Sequence, residues 1–188
     1  RTMVTLNPTA SPGDEDAPVD PLAVVDSLKH GHATVTSGPL IEFTLAGAGP
    51  GDDAFTTEAS LRGHLRIRAA PWIDVTTAQI VVGQVDGDCS VVQSFDVLTQ
   101  PTRTGPELGT LEDAQARTVR FDQDIEVAVG PSNGWVQIIA RGSRLMSDVL
   151  PFVPVAPLAF TNPVYVVRQR VPLPPFPGAP AGRPPVTK

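Results

Sequence analysis

The segment at residues 61–69, LRGHLRIRA, sets Leu61, Leu65, Ile67 and Ala69 at alternate positions, with Arg62, His64, Arg66 and Arg68 between them. Successive side chains of an extended chain point to opposite faces, so this period of two predicts a strand with one face in a core and the other in water. Ile41, Phe43 and Leu45 alternate in the same way with Glu42 and Thr44. Further strands are predicted at residues 78–85, 91–98, 118–129 and 135–141, and a weaker one at 164–167 beside Pro163, whose missing N–H favours a sheet edge. Short strands separated by Gly, Pro and Asp, with no helical repeat between them, predict an all-β fold, an antiparallel immunoglobulin-like β-sandwich. Phe43, Ile67 and Trp135 lie at apolar positions of three of these strands and are expected to meet between the sheets.

The flanks read differently. Residues 1–19 carry Pro8, Pro12, Gly13 and Pro18 among Asp14, Glu15 and Asp16, a composition expected of a linker or covering loop. Asp20 is a good helix N-cap, Pro21 fits the first helical position, and Leu22, Val25 and Leu28 follow at helical spacing before Gly31, so one short helix is predicted at 21–30. The sandwich with this leading helix spans 20–167. Residues 168–188 form a tail, in which VPLPPFPGAPAGRPPVTK (171–188) has proline at seven of eighteen positions and is expected to be extended polyproline II.

Composition restricts the partners. The 188 residues suit one domain with appendages, and the 41% hydrophobic share supplies a core. Fourteen Lys and Arg against twenty Asp and Glu give a net charge of −6, which argues against a surface built to neutralise nucleic-acid phosphates. With Cys89 alone, neither an intrachain disulfide nor a cysteine-rich metal site is available. No apolar run reaches the roughly 18 residues needed to span a bilayer, so no membrane span is expected. The compartment stays open, extracytoplasmic locations included.

Most candidate chemistry reduces to structure. His30 and His32 are two apart but straddle a helix end, and the third histidine, His64, lies on another segment, so no metal ligand is assigned. Asp86 and Asp88 lack the further ligands of a calcium loop and are read as a hairpin turn. GPGDD is read as a strand connection in which Gly49 and Gly51 take positive φ and Asp52 bonds nearby amides. No serine lies in a nucleophile elbow, Ser143 has no base near it in the pattern, and Cys89 reads as a small buried or semi-buried residue of a β segment, so no catalytic residue is assigned. The stripe Arg62, His64, Arg66 and Arg68 is a candidate surface for an anionic ligand, weighed against pairing with Asp122, Asp124 and Glu126 across the sheet. Trp72 and Trp135 are a candidate sugar-stacking pair, weighed against core packing. Leu173 and Phe176 are the large apolar residues of the tail and candidate contacts to another chain.

The order of four landmarks adds a resemblance. Thr36-Ser37-Gly38-Pro39, Gly49-Pro50-Gly51-Asp52, Ala70-Pro71-Trp72-Ile73 and Phe160-Thr161-Asn162-Pro163 follow one another as in the C-terminal region of PHP-superfamily metallohydrolase-like proteins of the CehA/McbA group, over residues 20–167. The resemblance implies an accessory β-sandwich attached to a metal-binding barrel that hydrolyses phosphoesters or related bonds. The barrel's histidine-rich motifs are not in this chain, so none of its divalent-metal ligands carries over, and no cofactor is expected here. The expectation is a non-catalytic domain that braces or covers a PHP-type barrel, on the same or a separate polypeptide, in a chain that begins with Arg1 and is a processed product or an excised piece. The alternative is a freestanding module binding an anionic glycan or a protein, through the arginine stripe or the tail.

Overall fold

The computed structural model describes residues 2–4, 20–85, 87–97, 118–148 and 154–168, so most of the predicted linker and the tail, with Leu173 and Phe176, lie outside the described residues. Among the described residues eleven strands and one α-helix follow in the order β1 (Thr2–Val4), α1 (Pro21–Lys29), β2 (Ala33–Thr36), β3 (Leu40–Leu45), β4 (Asp53–Thr56), β5 (Ser60–Arg68), β6 (Thr77–Gln84), β7 (Cys89–Asp96), β8 (Val119–Ala128), β9 (Gly134–Arg141), β10 (Leu158–Thr161) and β11 (Val164–Arg168). The all-β expectation holds. No described helix is long and apolar enough to cross a membrane.

Two sheets enclose one core. The smaller has the order β3-β5-β8, antiparallel throughout. In the larger, β9 pairs with β6 along one edge, and β6 in turn with β7. The other edge of β9 is shared by β10 and β11, with β2 and then β1 beyond β10 and β4 beyond β11. The period of two in LRGHLRIRA appears as buried Leu61, Leu65 and Ile67. These meet Phe121, Ile125 and Val127 of β8 and, from the facing sheet, Ile80, Val136, Ile138 and Val164. At the open side Phe95 of β7 tilts against Phe121 of β8 at 4.9 Å between ring centroids, and Gln93 Nε2 donates to Glu126 O at 2.9 Å, tying the two sheets together.

The purely antiparallel expectation needs correction, because β4 runs parallel to β11 with Tyr165 opposite Asp53 and Val167 opposite Phe55. That pairing also places β11 between β9 and β4 instead of at an edge. Pro163 is tolerated because it sits in the break between β10 and β11, where no ladder N–H is required. Within the segment assigned to the linker, Thr2–Val4 pair with β2 and belong to the sheet.

Four strands escape the alternation rule, and two share a cause. In β4 the inward residues are Ala54 and Thr56 while Phe55 faces out, and in β10 Ala159 and Thr161 face in while Phe160 is turned to the outer side. Burial there selects small side chains, so the largest residue marks the wrong face. The other two, β1 and β2, are short segments, three and four residues long.

The same inversion overturns the placing of Trp135. Phe43 and Ile67 are buried as expected, but β9 buries Val136, Ile138 and Ala140 and turns Trp135 to the outer face of the large sheet. The sequence GWVQIIA offers two alternating apolar sets, and the core takes the smaller one because Ile80 and the side chains of the facing sheet already fill that space. Trp135 instead lies over Gly83 of β6, its register partner, where any Cβ would overlap the indole.

Helix α1 forms as its capping residues dictate. Asp20 Oδ1 accepts from the Leu22 N–H at 2.9 Å, and Pro21 opens the first turn. At the other end Gly31, with φ of +78°, closes a Schellman motif in which the His32 N–H reaches Ser27 O at 2.9 Å and the Gly31 N–H reaches Leu28 O at 3.1 Å.

These burials predict an order of mutational costs. Phe121→Ala should cost about 3–5 kcal/mol, and Trp135→Ala, which leaves the inner face untouched, about half of that or less. Gly83→Ala should cost about 1–3 kcal/mol in the wild-type chain and little in a Trp135→Ala background, so a double-mutant cycle by urea denaturation reads the overlap directly. A Gly83→Ala penalty that persists without the indole would place Trp135 elsewhere.

Candidate functional site

The arginine stripe lies on the outer face of the small sheet, and β8 brings carboxylates across from it. His64 is held by two of them, Nδ1 to Asp124 Oδ1 and Nε2 to Asp122 Oδ1, each at 2.9 Å. Arg66 donates to Asp122 Oδ2 from Nε at 2.9 Å and from Nη2 at 2.7 Å. Arg62 stands opposite Glu126 in register, and Arg68 Nη1 lies 3.5 Å from Glu42 Oε1 of β3. Three arginines and one histidine therefore face four carboxylates, and the stripe carries no net positive field toward an anion.

Hydrogen bonding to Asp124 is the main influence holding the His64 pKa above its ordinary 6.5; partial desolvation opposes it, and Asp122 adds to the rise. Asp122 is held below the usual carboxylate value chiefly by the Arg66 guanidinium, with His64 contributing.

The other histidines do not converge on a common centre. Their rings stack at 5.9 Å, but His30 bonds through Nδ1 to Asp26 O within its own helix, whereas His32 Nε2 meets Asp52 Oδ1 at 2.9 Å. The second oxygen of Asp52 accepts from the Gly49 N–H at 3.1 Å, as the turn reading expected. Positive φ falls at Gly51 and also at Ala46 and Gly47, not at Gly49. Among the described residues no three His, Cys, Asp or Glu side chains gather as a metal-binding group, so the residues present do not fit a divalent-metal centre.

Ser143 does acquire an acidic neighbour that the sequence pattern hid. Asp74 Oδ2 accepts from Ser143 Oγ at 2.9 Å, from the Ser143 N–H at 2.8 Å and from the Arg144 N–H at 3.0 Å. Burial works to raise the Asp74 pKa, but these donors outweigh it and the group titrates below its ordinary value. With two backbone donors on the same oxygen, the carboxylate clamps the loop after β9. Cys89, at the start of β7, is exposed and not buried as expected.

Apolar surfaces lie at a pair of turns and on the helix. The Thr36–Pro39 turn and the Ala70–Ile73 turn meet, with Met3, Leu40, Met146 and Val155, around an open hollow of about 520 Å³, and exposed Trp72 stands at its rim. Its polar groups are already used: Thr36 Oγ1 donates to Pro39 O and accepts from the Gly38 N–H, and Ser37 Oγ accepts from the Leu158 N–H at 2.8 Å. Trp72 precedes β6, near the Arg141 end of β9, and Trp135 lies at the opposite end of that strand, so the two indoles form no common platform. The second surface is α1, whose exposure is inverted. Leu22, Val25 and Leu28, one stripe at helical spacing, are 75%, 47% and 47% exposed, while the residue the helix buries is Ser27.

The charged face predicts a two-sided pH dependence of stability. The His64 contribution is complete below 6.5 and is lost as pH rises through its elevated folded value; the Asp122 contribution is present above 3.8 and is lost as pH falls through its depressed one. Both side chains are solvent-exposed, so each is worth about 0.5 kcal/mol. Urea midpoints across the neutral range should fall more steeply with rising pH for the wild type than for His64→Gln; parallel curves would contradict the double pairing.

In comparisons with protein-family models, curated proteins and solved structures, the chain matches none of them.

Proposed function

We propose that this chain is a non-catalytic accessory domain that braces or covers a larger protein body. The observation that carries the reading is the outward apolar stripe of α1. A surface helix normally turns such a stripe to its own core. Here Leu22, Val25 and Leu28 face outward over about two turns, at the start of the domain, and fit a second apolar surface. The helix lies against β1, and both of its ends are capped.

The landmark resemblance makes that body a PHP-type, metal-dependent hydrolase barrel, which would supply the divalent metals and the chemistry. It also places the barrel ahead of residue 20, on the side where α1 stands. The strand order supports an immunoglobulin-like version of the sandwich. Strands β5 and β8 are neighbours in one sheet and β6 and β9 in the other, so the chain crosses between sheets in two interlocked pairs, as Greek-key sandwiches do. The anionic-glycan alternative draws no support from the arginine stripe, whose charges are matched by carboxylates.

The reading predicts a histidine-rich barrel encoded in frame ahead of Arg1 or recovered as a bound polypeptide from the native source. In that assembly Leu22→Asp combined with Val25→Asp should leave the melting temperature of the β domain within about 2 °C, because these side chains are exposed. The same change should speed proteolytic separation of domain and barrel at least tenfold. Recovery of the native protein with neither a barrel nor another body on α1 would sink the proposal.

A further inference from the structure

We propose that the proline-rich segment 171–182 of this same chain docks on an aromatic face of the large sheet formed by Phe55, Tyr165 and Trp135. These residues sit on the adjacent strands β4, β11 and β9, and all three turn away from the core. Tyr165 and Trp135 are register partners, and Phe55 stands beside Val167 on the next strand out. Phe55 is 59% and Tyr165 46% exposed. Because the Trp135 indole lies over Gly83, where there is no side chain, it extends the face onto β6 as a low shelf. A sheet face left to water is ordinarily polar, so three aromatic rings in this position ask for a cover.

The segment fits the face in chemistry, spacing and reach. Residues 171–182 contain no charged side chain and hold three overlapping P-x-x-P frames, at Pro172/Pro175, Pro174/Pro177 and Pro177/Pro180. Aromatic surfaces accept such polyproline segments because the extended helix loses little further entropy on binding and its rings stack on theirs. One polyproline turn of three residues advances about 9 Å, close to the roughly 9.6 Å that separates β4 from β9 across two inter-strand spacings. A segment laid across the strands would thus present a proline near each of the outer rings.

The exit point lies at the end of β11, beside this face, with the Arg168 side chain anchored on the inner side of the sheet opposite Thr56. β11 ends at Arg168, whose N–H donates to Asn133 Oδ1 at 2.8 Å and whose guanidinium reaches the carbonyls of Glu58, Val129 and Gly130. Tyr165 is three residues back from that anchor, and the four residues from Arg168 to Pro172 span up to about 13 Å, enough to turn and return to it. This surface is separate from α1, so the inference stands or falls independently of the accessory-domain reading.

Fluorescence of the full chain tests it. In a Trp72→Phe background the emission reports Trp135 alone. Leu173→Ser with Phe176→Ser, which leaves every described contact intact, should shift that emission to the red and raise the acrylamide quenching constant at least twofold, with unchanged far-UV circular dichroism. Excess synthetic peptide of residues 171–183 should reverse both effects. Identical spectra and quenching with and without the two substitutions would overturn the proposal. Shielding that disappears on dilution together with a dimer would also overturn it, assigning the face to the segment of a second copy.

Discussion

The break in the last strand governs the architecture. β10 and β11 form one path along β9, interrupted at Asn162–Pro163, and the interruption lets one edge of β9 serve two different neighbours, antiparallel β2 beyond β10 and parallel β4 beyond β11. Polar groups on each residue of the break are engaged. Thr161, fully buried, accepts the Ile138 N–H on its hydroxyl and Gln137 Nε2 on its carbonyl. The Asn162 N–H reaches Ala33 O, its side-chain amide reaches Gly31 O, and Pro163 O accepts the Gly51 N–H. The helix terminus, the glycine turn and two strands are thereby held at one point. Gly51, with φ of +94°, has no alternative there, since a Cβ would overlap His30 O and the backbone of Gly31.

From this arrangement follow two unlike outer faces. The small sheet closes its surface with cross-strand charge pairs, each worth little in water but together leaving that face polar and self-satisfied. The large sheet buries Ala54, Ala140, Ala159 and Thr161 where β4, β9 and β10 meet the core, and sends Phe55, Trp135, Phe160 and Tyr165 outward. Where the inward residues of these strands are small, their large rings fall on the outer face. The outward rings are thus a consequence of core geometry as well as an opportunity for contact.

That geometry also explains which parts of the fold were legible in the sequence. Strands β3, β5, β6, β8 and β9 carry bulky apolar residues inward, so period two locates each to within about two residues, and the Asp20-Pro21 start and Gly31 stop locate α1. β4 and β10 are hidden because their inward residues are small, and side-chain size as a proxy for burial puts Trp135 on the wrong face. The parallel β4–β11 pair was invisible for a different reason: nothing local records which distant strand lies alongside. Of the candidate site, the carboxylate partners of the arginine stripe were readable because alternation places Asp122, Asp124 and Glu126 on one face. The His32–Asp52 and Asp74–Ser143 pairs join loops far apart in the chain, and spacing holds no trace of them.

The four landmarks behind the family resemblance gather into two places. Gly49–Asp52 meets Phe160–Pro163 at the strand break, through the Gly51 N–H and Pro163 O, and Thr36–Pro39 meets Ala70–Ile73 at the hollow. At both, backbone approaches backbone or turn closes on turn, so the residue types answer to steric and hydrogen-bonding needs of the scaffold. Glycine and proline at such points would persist in any protein sharing this strand path, whatever it binds. Contact surfaces are therefore to be sought where packing leaves choice open, as on the outward stripe of α1 and the outward rings of the large sheet, where large apolar side chains face away from the core.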